Sequence, residues 1–249
     1  MAELNGSTAL VTGAGRGIGA AIAQALAAAG AHVAVNYAGS RAAAESVVTE
    51  IEACGGKALA VHADVSGENA VETMMEQVDH ALAPPDIVVN NAGIMLQRNT
   101  AEMSADEFDR TIAVNLRGTF LVGRAAIRRM QRLGGGRIIN IASDLGYLGR
   151  AEFSAYAASK GAILALTRSW ARECAPEILV NAIAPGPIET DMLQPGSMSP
   201  EWIEKEKDIP LARFGQPEEV ARCAVFLAGP GGSFMTGQAL GPNGGSVMP

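Results

Sequence analysis

The sequence predicts an α/β fold, a single doubly wound domain with about seven parallel strands and helices on both faces of the sheet. Short apolar runs alternate with longer segments of helical periodicity along the 249 residues, as they do in successive βαβ units. No Pro-rich or Ser-rich linker divides the series. One domain over residues 1–249 is therefore the simplest interpretation, and right-handed crossovers would place helices on both faces.

The predicted elements follow one another in regular alternation. Strands are expected in TALVTG, AHVAVNY, KALAVHAD, DIVVNNAG, RIINIAS and ILVNAIAPG, with a short seventh strand near Ala239. Helices are expected over residues 19–30, 42–54, 69–82, about 106–133, about 153–174 and about 218–227. Near-continuous apolar strands are typical of a parallel sheet, and the series as a whole predicts a Rossmann-type domain.

Residues 191–213, DMLQPGSMSPEWIEKEKDIPLAR, interrupt this alternation. The segment is too long and too mixed in polarity for an ordinary connection, and it carries the apolar residues Met192, Leu193, Met198 and Trp202. Inserted loops of this kind often close over a ligand. We therefore expect a substrate lid, with a pair of surface helices as the alternative.

Composition argues against several classes of protein. With 48% hydrophobic and 18% charged residues, the chain is expected to fold throughout. Its first residues lack the basic region and apolar core of a signal peptide, and no apolar stretch reaches membrane-spanning length. The three cysteines lie far apart without CxxC spacing, which argues against a disulfide framework or a zinc site. We therefore expect a cytoplasmic protein that does not bind membranes.

Charge and histidine placement argue against two further kinds of ligand. A formal net charge of -7 opposes a nucleic-acid-binding surface, because such surfaces draw affinity from Lys and Arg. His32, His62 and His80 are dispersed and show no ligand spacing, so no metal site is expected.

The first strand leads directly into a glycine-rich loop. Gly13, Gly17 and Gly19 follow the strand, and residues 20–29 continue as a helix. Glycines at such a turn let the backbone approach a pyrophosphate held at the helix N-terminus. The spacing GxxxGxG departs by one residue from the GxGxxG fingerprint, so a plain glycine-rich turn is the alternative.

The end of the second strand bears on the choice of dinucleotide. It carries Asn36 and Tyr37, where an NAD-specific site would place an acid for the ribose 2′-hydroxyl. Arg16, Ser40 and Arg41 are instead available to bond a 2′-phosphate. The sequence thus predicts NADP(H), with NAD(H) less favoured.

Asp64 ends the third strand at the same edge of the sheet. Its carboxylate is predicted to accept a hydrogen bond from the adenine amino group. The alternative is a helix-capping acid before Ser66.

Tyr156 and Lys160 are four residues apart on a predicted helix, so their side chains share one face. A unit charge about 4 Å away contributes roughly 4 kcal/mol at an effective dielectric of about 20, or about three pKa units. Lys160 is therefore predicted to lower the pKa of the Tyr156 phenol from about 10 towards neutrality, which suits general acid–base catalysis. Ser143 ends a strand at the same sheet edge. Taken alone, the Tyr–Lys spacing also suits an ordinary surface pair.

Together these motifs resemble the short-chain dehydrogenase/reductase family over nearly the whole chain. They are TGAGRGIG at 12–19, NNAG at 90–93, Asn115, Ser143, YAASK at 156–160 and Pro185-Gly186. The resemblance implies hydride transfer between a nicotinamide cofactor and a carbonyl or alcohol substrate. It also implies that Ser143 bonds the substrate oxygen, that Tyr156 exchanges its proton, and that Lys160 lowers the phenol's pKa and holds the nicotinamide ribose. Asn115 would keep a water that links Lys160 to solvent.

The resemblance further implies that residues 91–93 line the cofactor cleft and that residues from Pro185 to Thr190 seat the nicotinamide carboxamide. The alternative for Asn90 and Asn91 is that they order the turn after the fourth strand. The expected cofactor-binding residues are Gly13, Gly15, Arg16, Gly17, Ile18, Gly19, Asn36, Tyr37, Ala38, Ser40, Arg41, Asp64, Val65, Asn91, Ala92, Gly93, Tyr156, Lys160, Pro185, Gly186, Ile188 and Thr190.

Within the family, the chain is most similar to 3-oxoacyl carrier-protein reductases, through VAVNYAGS, residues 185–192 and PLARFGQPEE. Sugar and polyol dehydrogenases share these segments. An acyl carrier protein would need a basic docking face, and Glu177 opposes one. Arginines that partly supply such a face are Arg128, Arg129 and Arg132. The expected substrate pocket, which favours neither substrate class, comprises Met95, Gln97, Leu145, Tyr147, Leu148, Glu152 and Phe153.

Two other functions are alternatives: a non-catalytic NADP(H)-binding sensor and a nucleotide-sugar epimerase. The intact Ser143, Tyr156 and Lys160 argue against a sensor. The short stretch after the predicted lid argues against an epimerase, which needs a larger substrate domain. The resemblance also implies a homotetramer.

Overall fold

The computed structural model describes residues 3–193 and 199–249. Within them, seven parallel strands form one sheet in the order β3-β2-β1-β4-β5-β6-β7, which confirms the predicted fold class. The strands are β1 Thr8–Val11, β2 His32–Tyr37, β3 Ala58–His62, β4 Ile87–Asn90, β5 Gly136–Ile141, β6 Ile178–Ile183 and β7 Ala239–Leu240.

The helices lie close to their predicted positions, with bounds that differ by one or two residues. They are α1 Gly17–Ala28, α2 Arg41–Ala53, α3 Glu68–Ala81, α4 Ala105–Ile112, α5 Gly118–Leu133, α6 Leu145–Leu148, α7 Ser154–Cys174, α8 Pro200–Lys207 and α9 Pro217–Ala228. The helix predicted over about 106–133 is divided, because a π-helical turn, Ala113–Arg117, joins α4 to α5. The short α6 and α8 were not predicted individually. No described helix is both long and apolar enough to cross a lipid bilayer.

The alternation of side chains along β1 explains why both faces of the sheet are covered. Ala9 and Val11 pack in a core with residues of α1, α2 and α9, whereas Leu10 packs in a second core with residues of α3, α5 and α7. Successive side chains of a strand point to opposite faces, so a strand buried on both sides must be apolar throughout. All four residues of β1 are buried.

The strand order reverses beside β1, and this reversal locates the ligand cleft. β1 pairs with β2 on one side and with β4 on the other, so the loops that leave β1 and β4 diverge at the carboxyl edge. In open α/β sheets, the crevice at such a point is where ligands bind.

We predict that Gly123→Ala destabilises the fold. Gly123 lies on α5 against the buried Trp170, and a Cβ there would be 2.2 Å from the indole. Alanine favours a helix over glycine by about 1 kcal/mol, but overpacking of a core costs about 1–3 kcal/mol. Denaturant unfolding should show a net loss. Gly39→Ala is the matched control, since a Cβ at Gly39 meets nothing within 4 Å; an equally stable Gly123→Ala protein would contradict this packing.

Candidate active site

A cleft of about 1430 Å³ runs along the carboxyl edge of the sheet. Almost all the predicted catalytic and cofactor-binding residues line it. The two exceptions are Asn115 and Arg41, which lie outside its lining.

The glycine loop lies against the end of β4, and two of its glycines have no room for a side chain. A Cβ on Gly13, which has φ +61°, would be 2.9 Å from Ala92 Cα; one on Gly19 would be 2.4 Å from Asn91 Nδ2. The Asn91 amide donates to the carbonyls of Thr12 (2.9 Å) and Gly13 (3.1 Å). Asn91 therefore braces the loop as well as lining the cleft, and α1 begins beside it without a side-chain cap. Uncapped backbone N–H groups at a helix start fit an anionic pyrophosphate.

Asn36 has a bracing role that the sequence did not reveal. It is buried, and its amide donates to the carbonyls of Val61 (3.3 Å) and Ala63 (3.2 Å) while its Oδ1 accepts from Gly13 N–H (3.1 Å). An acid at this position would lack the N–H donors that these carbonyls use. Asn36 thus ties β2 to β3 and to the glycine loop.

Of the three residues predicted to contact a 2′-phosphate, two line the cleft and one does not. The Arg16 side chain is exposed at the cleft, 3.7 Å from the Asp191 carboxylate. Ser40 also lines the cleft, and its hydroxyl caps α2 by accepting from Ala43 N–H. Arg41 instead pairs with Glu45 at 2.7 Å. Arg16 and Ser40 are therefore the predicted pair that the cleft presents.

Asp64 does not cap α3, whose N-cap residue is Gly67. It makes local hydrogen bonds instead. Its Oδ1 accepts from the backbone N–H (2.9 Å) and the hydroxyl (2.7 Å) of Ser66. These hydrogen bonds lower the pKa of the Asp64 carboxyl. The residue also lines the cleft, so its predicted bond to an adenine stays a prediction.

Ser143, Tyr156 and Lys160 come together in the cleft. Ser143 lies just beyond β5, and the other two lie in the first two turns of α7. The Lys160 ammonium is 5.6 Å from the centroid of the Tyr156 ring and donates to the carbonyl of Ile141 at 2.7 Å. One strand end and one helix start therefore hold all three side chains.

Asn115 lies in the π-helical turn, fully buried behind these residues. Its Oδ1 accepts from Ile94 N–H (2.8 Å), and its amide donates to Ile94 O (2.9 Å) and Ser159 Oγ (3.0 Å). π-helical turns often occur at functional sites. Through these bonds Asn115 connects the loop after β4 to α7. Its predicted role in holding a water stays a prediction.

The predicted pKa of Tyr156 was wrong in direction. Burial raises the pKa of the phenol to about 12, the nearby Asp144 carboxylate adds to the rise, and a hydrogen bond from Ser143 opposes it. Burial also lowers the pKa of Lys160 to about 8, so the lysine is a weaker source of positive charge than its spacing suggested. Tyr156 is half-buried, whereas Lys160 is only 4% exposed.

Asp144 is a site residue that the sequence analysis missed. It is buried, and its Oδ1 accepts from Ser143 Oγ at 3.0 Å while its Oδ2 accepts from Ser246 Oγ at 2.7 Å. An acid that directly follows Ser143, shortly after the end of β5, was the available signal. Asp144 orients the Ser143 hydroxyl and ties residue 246 to the site.

The substrate end of the cleft contains only part of the predicted pocket. Met95, Gln97, Leu145 and Phe153 line the cleft, whereas the lining does not include Tyr147, Leu148 and Glu152. Leu148 is 54% exposed, and Glu152 accepts a hydrogen bond from the Gln97 amide. The lining also includes residues that the sequence analysis did not assign to it, among them Arg150 and Glu206.

The 191–213 segment contributes to the same end of the cleft. Met192, Leu193 and Trp202 line it, with Trp202 carried by α8. Met198, another apolar residue of the predicted lid, lies outside the described residues. The described part of the segment contains one short helix, α8.

The predicted basic face on α5 is smaller than the sequence suggested. Arg129 is buried and pairs with Asp79 at 2.8 Å and with Glu72 at 3.4 Å, because its side chain faces α3 rather than solvent. Arg128 and Arg132 remain exposed, as does the acidic Glu177. In the described residues, no group of three or more His, Cys, Asp or Glu is placed to hold a metal ion.

Comparisons with known proteins agree with this arrangement. Residues 13–246 match the family model described as enoyl-(acyl carrier protein) reductase. A 3-oxoacyl-[acyl-carrier-protein] reductase from Synechocystis sp. is 42% identical over 100% of both chains. A crystal structure of a protein assigned as a gluconate dehydrogenase from Agrobacterium tumefaciens is similar, with a TM-score of 0.95, 38% identity and 99% coverage of each chain. A blue fluorescent protein from a metagenomic library, crystallised with NADPH, has a TM-score of 0.91 and 40% identity, covering 99% of this chain and 100% of its own.

The chain therefore belongs to the short-chain dehydrogenase/reductase family. It is an oxidoreductase of the class that acts on carbonyl and CH–OH groups.

We predict that Lys160 makes stability rise with pH. Below about pH 8 the buried lysine is charged in the folded and unfolded states. Above it, the folded state has released a proton that the unfolded state still holds, so the free energy of unfolding increases. A shift from 10.5 to about 8 corresponds to about 3 kcal/mol. Relative to Lys160→Met, the wild-type protein should gain up to that amount between pH 7 and 10 in urea unfolding.

The exposed Lys57 provides the control, because Lys57→Met removes a lysine that is not buried. Parallel pH curves for the wild-type and Lys160→Met proteins would show that burial does not depress this pKa.

Proposed function

We propose that the protein is an NADP(H)-dependent carbonyl reductase, or an alcohol dehydrogenase in the reverse direction, with Tyr156 as the proton donor. The observation that carries the proposal is the meeting of Ser143, Tyr156 and Lys160 in the cleft that also contains the glycine loop. A nicotinamide bound there supplies the hydride. The protein's own residues then polarise the carbonyl and deliver a proton.

The chemistry of the described side chains suits reduction. Tyr156, with a raised pKa of about 12, stays protonated at neutral pH. Reduction of a carbonyl places negative charge on its oxygen, and the Tyr156 phenol would donate its proton there. The Ser143 hydroxyl now donates its one hydrogen to Asp144, so it would turn that hydrogen away from the carboxylate to bond the same oxygen. The Lys160 ammonium, 5.6 Å from the centroid of the Tyr156 ring, would return a proton to the phenol.

The preference for NADP(H) over NAD(H) is supported by charge at the adenosine end. Arg16 is an exposed cation on the cleft, and the end of β2 carries the neutral Asn36 instead of an acid. A doubly charged 2′-phosphate is attracted by the Arg16 guanidinium and is not repelled by the neutral Asn36. The similar blue fluorescent protein was crystallised with NADPH.

Two substrate classes have support, and we favour a 3-oxoacyl thioester. The Synechocystis relative acts, by its name, on such a thioester on a carrier protein, whereas the Agrobacterium relative is assigned to gluconate. Docking of an acidic carrier is weakened by the burial of Arg129 and the exposure of Glu177. A sugar or polyol dehydrogenase is therefore the second candidate, and a non-catalytic sensor is opposed by the complete catalytic set.

The remaining proposals, on domain organisation, assembly and location, rest on resemblance and composition. A single domain over 1–249, a lid at 191–213, a homotetramer and a cytoplasmic location stay predictions. The lining of the cleft by Trp202 and Met192 supports the lid.

We predict that Tyr156→Phe abolishes turnover while sparing cofactor binding. The variant removes one hydroxyl and leaves the ring. Loss of a general acid costs about 10²- to 10⁴-fold in rate, measured as NADPH oxidation with a 3-oxoacyl thioester and with a simple ketone. NADPH affinity, measured by fluorescence titration, should stay within about twofold. Unchanged turnover would remove the proposed mechanism.

We predict that Arg16→Gln lowers kcat/KM for NADPH about tenfold or more and leaves kcat/KM for NADH unchanged, because hydrogen bonds to a charged group contribute about 1.5–3 kcal/mol. Arg41→Gln is the matched control, since Arg41 pairs with Glu45 outside the cleft. A larger effect of Arg41→Gln than of Arg16→Gln would reverse the assignment. A wild-type preference for NADH would contradict it altogether.

A further inference from the structure

We propose that Arg150 selects substrates that carry a carboxylate apart from the reacting carbonyl, and that Glu206 fills the carboxylate's place when no such substrate is bound. The inference rests on the proposed carbonyl-reductase function, and it names an acid substrate in place of the favoured 3-oxoacyl thioester, which carries no free carboxylate. It concerns the substrate end of the cleft, which Arg150 and Glu206 both line together with Tyr156.

The two charged side chains form a close pair inside the cleft. Arg150 Nη1 is 2.6 Å from Glu206 Oε1, and the side chains are only 17% and 8% exposed. Most surface ion pairs contribute little and are open to water. This pair is instead a largely desolvated guanidinium with a carboxylate already bound to it.

Two aromatic rings hold the guanidinium in place. Its carbon lies 4.9 Å from the centroid of the Trp202 ring and 5.6 Å from that of Phe153, distances at which a cation is attracted to a ring. Trp202 and Glu206 are four residues apart and share one face of α8. The planar fork of an arginine fits a carboxylate with two parallel hydrogen bonds. The Arg150 guanidinium and the two rings beside it therefore have the form of a carboxylate-binding site.

Exchange of Glu206 for a substrate carboxylate keeps the charge balance. A buried arginine left without an anion is costly, but an incoming carboxylate replaces the outgoing one, and Arg150 is already desolvated. Glu206 is the one buried residue of α8, and its neighbours Lys205 and Lys207 are exposed. In the proposed exchange, the Glu206 side chain rotates away from Arg150 and its carboxylate passes into water.

Other cations that line the cleft lie elsewhere. Arg16 belongs to the glycine loop, Arg110 acts on the Asp64 carboxylate, and Lys160 lies beside Tyr156. Among the described residues that line the substrate end of the cleft, Arg150 is therefore the guanidinium that can bind a negatively charged group of the substrate.

The test uses straight-chain keto acids with one to four methylenes between the carbonyl and the carboxylate. Each acid is compared with its methyl ester, which carries no negative charge. For the keto acid of best length, Arg150→Gln should lower kcat/KM about tenfold to hundredfold, and Glu206→Gln should raise it, because a neutral amide competes less well for the guanidinium. The readout is the ratio of kcat/KM for the acid to kcat/KM for its ester, which Arg150→Gln should lower and Glu206→Gln should raise. Arg150→Lys, which keeps the charge but not the fork, should be intermediate.

The opposite signs of the two variants separate this proposal from a structural ion pair. If the pair merely held α8 in place, Arg150→Gln and Glu206→Gln would change both substrates in the same direction, and the proposal would be overturned. Arg98→Gln, at an exposed pair with Glu107 outside the cleft, is the control. Thermal unfolding of each variant identifies a loss of folding.

A calorimetric titration keeps this inference distinct from the proposed function. The probe is the saturated carboxylic acid of the same length, added to the NADPH-loaded protein. Its affinity should be highest for Glu206→Gln, lower for the wild-type protein and lowest for Arg150→Gln, whether or not any carbonyl is reduced. Equal affinities would overturn the carboxylate site, whereas ordered affinities without turnover of acid or ester would overturn the reductase.

Discussion

The hydrogen bond from the Lys160 ammonium to the carbonyl of Ile141 is the contact on which the catalytic end depends. It joins the second turn of α7 to the last residue of β5. Because Tyr156 is one helical turn away and Ser143 two residues beyond the strand, this bond fixes the distance between the groups that act on a substrate. Burial lowers the pKa of that lysine, so a smaller fraction of its side chain is charged at a given pH.

The cofactor end depends on asparagines in a comparable way. The Asn91 amide donates to carbonyls of the loop after β1. Asn36 accepts from the Gly13 N–H of that loop, and its own amide donates to the carbonyl of Ala63 beyond β3. Neutral amides can serve there as donors and acceptors at once, which a carboxylate cannot. One residue type thus shapes the loop and keeps an acid away from the site of a 2′-phosphate.

Much of the fold could be predicted from the sequence, because each strand is a short apolar run and each helix has its own periodicity. The glycine loop and the Ser143, Tyr156 and Lys160 set were also predictable, since the topology brings strand ends to one edge. The direction of the Tyr156 pKa was not, because spacing gives proximity but not desolvation. The pairing of Arg150 with Glu206 was equally hidden, since these residues are far apart in sequence and no local pattern links them.

The bond between Asp144 and Ser246 spans 102 residues and bears on the order in which the protein folds. The nucleotide end of the cleft draws on β1, β2 and β4 and the loops that follow them. The bonds between the glycine loop and the end of β4 already span 78 to 80 residues, and the bond to Ser246 spans more. Contacts of long sequence separation form slowly, so the serine hydroxyl gains its orientation only after residue 246 joins the site.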